Sequence, residues 1–138
     1  MQLEIFTDGG SRGNPGEAAI GVVVREGDTI LYESGKTIGI ATNNEAEYQA
    51  ILHSLFWLES QKQVCATSTI TWKLDSKLVV EQLSKRWKIK EPRMLTFAQQ
   101  AWKLLEKIGL SYKIKHIPRE ENSHADALVN QALDAAKV

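Results

Sequence analysis

The hydrophobic period of this chain first changes after the stretch "ATNN" at residues 41–44, and that change restricts the fold more than any other feature. Before it, "QLEIFTD" (2–8) alternates Leu3, Ile5 and Thr7 against Glu4, Phe6 and Asp8, a strand expected to end near Asp8. "AIGVVVRE" (19–26) and "TILYESGKTIG" (29–39) are β-branched-rich runs meeting at Gly27-Asp28, so they read as a hairpin that completes an antiparallel trio. After it, Glu47, Ala50, Ile51, Ser54, Leu55 and Leu58 fall on one face of a helix spanning about 44–60. A strand "STITWKLD" (68–75) and a helix "SKLVVEQLS" (76–84) come next. Pro92 opens a helix that Gly109 stops, "LSYKIKHI" (110–117) alternates as a last strand, and an amphipathic helix covers 123–137. The order β-β-β-α-β-α-α-β-α implies an α/β fold with a mixed sheet, antiparallel first and parallel where helices cross over, and helices on its faces.

A chain of 138 residues with 43% hydrophobic content is expected to form a single domain over 1–138. Seventeen basic and seventeen acidic residues cancel, so a surface for nucleic acid has to come from local clustering. The single Cys65 has no partner for an internal disulfide. The N-terminus lacks a basic-then-apolar signal pattern, and no apolar run approaches the ~18 residues of a membrane span. A soluble, cytoplasmic, monomeric protein without a membrane partner is the expectation.

Four acids stand at element ends or on an apolar face: Asp8, Glu47, Asp75 and Asp126. Each has an ordinary structural explanation. Asp8 would open the turn "DGG"; Glu47 would close a cap with Asn44; Asp75 would cap the helix beginning at Ser76; Asp126 would end a capping box with Ser123. Together they suggest something else. If the first and fourth strands are neighbours, Asp8 and Asp75 end side by side, and the helix starts bearing Glu47 and Asp126 can face them. Four like charges repel unless cations compensate. Oxygen donors, with neither a cysteine cluster nor paired histidines, point to Mg²⁺ or Mn²⁺.

The segments "TDGGSRGNPG", "TNNEAEY", "LDSKLVV" and "REENSHADALVNQA" resemble, in order and over essentially the whole chain, the signature segments of the type 1 ribonuclease H family. The resemblance implies a five-stranded mixed sheet of order 3-2-1-4-5 with helices on both faces. It implies that Asp8, Glu47, Asp75 and Asp126 are metal-binding catalytic acids, and that the substrate is the RNA strand of an RNA/DNA hybrid. A two-metal mechanism follows, one ion activating water and the other stabilising the departing 3′ oxygen. By the same resemblance the products carry 5′-phosphate and 3′-hydroxyl ends.

The glycine-rich stretch after Asp8 then has a use: a loop through Gly10, Ser11, Arg12, Gly13 and Asn14 that lets a nucleic-acid backbone come close and offers it main-chain amides. The resemblance carries Asn14, Thr42, Asn43 and Asn44 over as backbone contacts, with helix capping as the plainer role of the last three. Ser76 and Lys77 follow the third acid, where many members have Ser and Gln, so Lys77 departs from the pattern and offers a phosphate contact. "SKRWKIKEPR" (84–93) sets Trp87 among five cations, with Trp87 and Lys88 suited to a sugar or base and its phosphate, or simply to a solvated loop with a packed tryptophan. It is shorter than the basic protrusion of some members. Trp57, Trp72 and Trp102 are assigned to packing.

Many members carry a histidine in the loop before the last helix; here that loop is contracted to "PREEN". His124 falls inside the helix start, so Arg119 becomes the candidate for an auxiliary catalytic role, as in the shorter-loop branch of the family. His116 belongs to the last strand and His53 to the first helix. No separate N-terminal hybrid-binding domain is read, which predicts low processivity. Two other readings stay open: a catalytically silent nucleic-acid-binding module on the same fold, and a nuclease that also accepts double-stranded RNA.

Overall fold

The computed structural model describes residues 2–61 and 69–136. Cys65, the Ser68 start expected for the fourth strand and the Lys137 end expected for the last helix lie outside the described residues. The strands are β1 (Gln2–Gly13), β2 (Gly16–Glu26), β3 (Thr29–Ala41), β4 (Thr69–Leu74) and β5 (Ser111–His116). The helices are α1 (Asn43–Ser60), α2 (Lys77–Leu83), α3 (Pro92–Ile108) and α4 (Ser123–Ala135), the last preceded by a 3₁₀ turn at Arg119–Asn122. All five strands form one sheet of order β3-β2-β1-β4-β5. The β1–β2 and β2–β3 pairs are antiparallel, while β1–β4 and β4–β5 are parallel, as the positions of the crossover helices require.

Alternation along the strands separates two packed layers. Leu3, Ile5, Val22, Val24, Ile70, Trp72 and Leu74 point to one face and pack with Tyr48, Ile51, Leu55 and Leu58 of α1 and Ala98, Ala101 and Leu105 of α3. Each large aliphatic chain buried there contributes roughly 1.5–3 kcal/mol. The predicted α1 stripe, Glu47 included, is buried along its length. On the other face Ala19 of β2 packs with Val129 and Leu133 of α4. That helix sits close because Gly21 lacks a side chain: a Cβ there would lie 2.2 Å from the Ala125 carbonyl oxygen. The three tryptophans assigned to packing do pack. Trp72 donates to Ser54 Oγ at 2.9 Å, Trp102 donates to the Leu83 carbonyl at 3.0 Å, and Trp57 stacks on Tyr32.

One expectation is corrected. β1 does not end near Asp8, because its ladder with β2 continues through Gly9 and Gly10 to the pair Gly13↔Gly16. The glycine-rich stretch is therefore mostly strand, and only Asn14 and Pro15 lie between β1 and β2. The reason is close packing rather than looseness. A Cβ on Gly9 would stand 2.2 Å from the Ala46 carbonyl carbon, so glycine is what allows the first turn of α1 to press onto the strand.

Candidate active site

The register of β1 and β4, which pairs Phe6 with Lys73, carries two residues further to bring Asp8 and Asp75 together at the ends of adjacent parallel strands. Glu47 reaches them from α1, where its Oε1 accepts the Gly9 backbone N–H at 3.1 Å. Carboxylate oxygens of Asp8, Glu47 and Asp75 all lie within 4.8 Å of one another. Asp126, in the first turn of α4, lines the same cleft of about 510 Å³, as does Arg119, whose guanidinium is 3.9 Å from Asp126 Oδ1.

The ordinary explanations for these acids do not match the local structure. α1 is capped by Thr42, whose Oγ1 accepts from Glu45 N while the Glu45 side chain accepts from Thr42 N; Glu47 is left out of that box. Ser76, not Asp75, caps α2, accepting from Val79 N at 3.3 Å. α4 follows Asn122 without any side-chain cap, so the expected Ser123–Asp126 box is absent. Asp8 sits within the β1–β2 ladder rather than in a turn.

Crowding of carboxylates in a buried place has the expected electrostatic result. Burial, with Asp75 and Asp126 adding repulsion, pushes the Asp8 carboxyl up to about 7. Burial and the neighbouring Asp8 raise Glu47 well above the usual carboxylate range. Asp75 is raised chiefly by burial, an effect opposed by Asn122 and Arg119. Glu47 Oε2 is buried with no hydrogen-bond partner, a costly state for a carboxylate oxygen. An orphaned oxygen facing two more carboxylates, all hard donors, fits a divalent cation.

The remaining predicted residues divide into three groups. Gly10, Ser11, Arg12, Asn43, Asn44 and Ser76 line the acidic cleft. Asn14, Asn43 and Thr42 build its wall: Asn14 Oδ1 accepts Asn43 N at 3.0 Å, Asn43 Oδ1 accepts Ser11 N at 2.9 Å, and Thr42 holds the α1 cap. Gly13 ends β1 beside them. Lys77, Trp87 and Lys88 stand apart, with Lys77 Nζ 5.9 Å from the Trp87 ring and Trp87 itself exposed. Arg12 is held by Asp134 at 2.7 Å. Within the basic segment Arg86 is tied to Glu81, Arg93 to Glu45, and Lys85 lies over Trp102. His53 bonds Tyr32, His116 contacts the Asp75 carbonyl, and His124 pairs with Glu33, and among the described residues no histidine lines the acidic cleft.

Two site residues escaped the sequence reading. Asn122 is buried and donates to the Thr7 carbonyl at 2.9 Å and to Asp75 Oδ2 at 3.4 Å, tying the contracted loop to both acidic strands. Asn130 lines the cleft one helical turn after Asp126, whose carbonyl it bonds. The i, i+4 spacing from Asp126 was a usable signal for Asn130; nothing in "PREEN" distinguishes Asn122 as buried.

The sheet order and the acidic cleft define the class of α/β proteins with a ribonuclease H-like fold. A family model described as reverse transcriptase-like matches residues 6–132. The chain is 45% identical, over 99% of its length, to a bifunctional protein of Mycobacterium tuberculosis, of which it covers 36%. It thus spans about a third of the length of the mycobacterial relatives it matches. RNase H1 from Halobacterium salinarum superposes with a TM-score of 0.89 at 40% identity, covering 98% of this chain and 99% of that one. LC11-RNase H1, isolated from compost and solved in complex with an RNA/DNA hybrid, gives a TM-score of 0.94 at 37% identity over 99% of both chains. The chain belongs to the type 1 ribonuclease H family.

Proposed function

We propose that the chain is an endonuclease that hydrolyses the RNA strand of RNA/DNA hybrids, with Asp8, Glu47, Asp75 and Asp126 holding two divalent cations, Mg²⁺ or Mn²⁺ in its place. One observation carries the reading: three carboxylates converge within 4.8 Å at the end of two parallel strands, in a cleft that Asp126 completes. Family membership and the hybrid-bound LC11 structure support the substrate. Such cations would neutralise the scissile phosphate and lower the pKa of a water for in-line attack on phosphorus.

The chain's own residues hold this arrangement in place. The Gly9 N–H fixes Glu47, and Asn122 fixes Asp75 against β1. Asp126 and Arg119 occupy the open rim, where the side chain of Arg119 is 81% exposed and free to meet a phosphate oxygen. Ser11, Asn43, Asn44 and Ser76 line the approach with short donors and acceptors suited to ribose hydroxyls and phosphates, and 2′-hydroxyls are what distinguish RNA from DNA. Lys77, Trp87 and Lys88 would take the backbone and sugars of the complementary strand. Hydrolysis breaks the P–O3′ bond and leaves 3′-hydroxyl and 5′-phosphate ends. We place this activity in a cytoplasmic monomer.

The test offers one labelled RNA strand in three forms: annealed to DNA, annealed to RNA, and single. Metal-dependent internal cutting of the hybrid, with the stated ends, is expected. Equal cutting of the RNA duplex would widen the substrate, and hybrid binding without cutting would replace the nuclease by a silent module.

A further inference from the structure

A second cationic surface lies on the sheet, away from the acidic cleft. Alternation and register put Lys73 of β4 and Lys113 and Lys115 of β5 on the face opposite the main core, with Lys73 directly beside Lys115. α4 covers this face over β2 and β3 and leaves Lys113 and Lys115 exposed. Neither lysine has an ion pair among the described residues, and the acid close by, Glu4, is shared between Lys73 and Arg25. Lys113 and Lys115 line two hollows at once. One, of about 650 Å³, lies on the sheet face beside Lys73. The other, of about 460 Å³, lies beyond the β5 edge with Lys85 and Arg86.

A chain with no net charge has therefore gathered a band of cations that wraps the β5 edge, from the basic segment at 84–93 to the open sheet face. Like charges directly opposite on neighbouring strands destabilise a sheet. Lysines on an edge strand also discourage edge-to-edge pairing; Lys73 on the inner strand β4 is paired with Glu4, so the uncompensated charge beside it rests on Lys113 and Lys115. The band and the cleft share no lining residue, but Lys73 precedes Asp75 by only two positions, about 6.7 Å along the strand. Three strands are only about 10 Å across, wide enough for one nucleic-acid backbone and too narrow for a duplex. The i, i+2 spacing of Lys113 and Lys115 is comparable to the step between phosphates of an extended single strand.

With the cleft read as a hybrid nuclease, we propose that Lys73, Lys113 and Lys115 form a track for single-stranded nucleic acid continuing out of the bound hybrid, held through its phosphates. Fluorescence anisotropy in chelator, where nothing turns over, compares a blunt RNA/DNA hybrid with the same hybrid bearing a short oligothymidine extension on either DNA end. The extended probe is expected to bind several-fold tighter. Its log K should fall more steeply with log salt, by about 0.7 for each added phosphate contact. Lys113→Gln/Lys115→Gln should lose both gains and keep blunt-hybrid binding, while Lys103→Gln on α3 should change neither. Lys113→Gln alone, expected to lose part of the gain, serves if the double variant does not fold. An extension that adds nothing in the wild type, or a gain that survives in the double variant, overturns the track. So does equal weakening of blunt and extended probes, which would assign the lysines to the duplex. Failure of the wild type to cut any hybrid would refute the nuclease reading and leave this binding comparison standing.

Discussion

Gly9 and Glu47 are locked together: the strand donates its N–H to the helix carboxylate at 3.1 Å, and the missing Gly9 side chain lets the Ala46–Glu47 backbone come that near. One residue thus sets both the strand–helix distance and the aim of a buried acid. Gly9→Ala would put a methyl 2.2 Å from the Ala46 carbonyl carbon, which is backbone and has little room to yield. Overpacking of this kind costs about 1–3 kcal/mol or more. Thermal melting should show a clear loss of stability, and cleavage should fall with it; a variant with wild-type melting and activity would mean that α1 shifts freely.

Asn122 acts through Asp75 and Thr7 as a positioning residue. Removing a partner that orients a metal ligand typically costs about 10–100-fold in metal affinity or activity. Asn122→Ala should raise the divalent-cation concentration needed for half-maximal cleavage, a readout that a purely structural role would leave in place. Unchanged metal dependence would assign Asn122 to structure alone.

Proton binding at the cleft gives a pH dependence of definite sign. Asp8 moves from 3.8 to about 7 on folding, so the folded state holds its proton more tightly than the unfolded chain. This contribution to stability is full below about pH 4 and is lost as pH rises through about 7. Glu47 and Asp75 are shifted in the same direction. In chelator at pH 8, Asp8→Asn should therefore melt above the wild type, by about 2–8 °C per kcal/mol of relieved repulsion. At pH 4 the advantage should vanish. Adding a divalent cation at pH 8 should stabilise the wild type and leave the variant nearly unmoved. A variant that melts below the wild type at pH 8 in chelator would contradict the crowding of these charges.

The α1 cap sits beside the cleft but outside the set of acids. Thr42→Ala removes the oxygen that accepts from Glu45 N, and loss of such a cap costs about 0.5–2 kcal/mol. A lower melting temperature with cleavage retained at low temperature is expected; cleavage lost at low temperature, where the variant is still folded, would make Thr42 a substrate contact first.

Sequence pattern is enough to read the strands, the helices and their order, because β1 alternates up to Thr7, β2 and β3 are rich in β-branched residues, and the α1 stripe repeats at three and four residues. Convergence of Asp8 and Asp75 was legible once β1 and β4 were taken as neighbours, an adjacency the resemblance supplied rather than the pattern. The sequence places the end of β1 too early because glycine signals turns, whereas Gly9 here serves close packing and the ladder runs on to Gly13. Asn44, Asp75 and Ser123 are all good capping residues on composition, and only backbone geometry selects Thr42, Ser76 and Asn122 at the helix starts; of the three residues ahead of Glu45, Thr42 is the one that caps. Burial of Asn122 depends on contacts more than a hundred positions apart, with Thr7, and no local signal carries that.

The most direct test of the four-acid nuclease is cleavage of an end-labelled RNA strand annealed to DNA, with Mg²⁺, with Mn²⁺ and with chelator, beside Asp75→Asn. Internal cuts that require the metal and disappear in a variant with wild-type circular dichroism are the predicted result. Undiminished cleavage by the folded variant, or by the wild type in chelator, would contradict the assignment of metal and acids to this cleft.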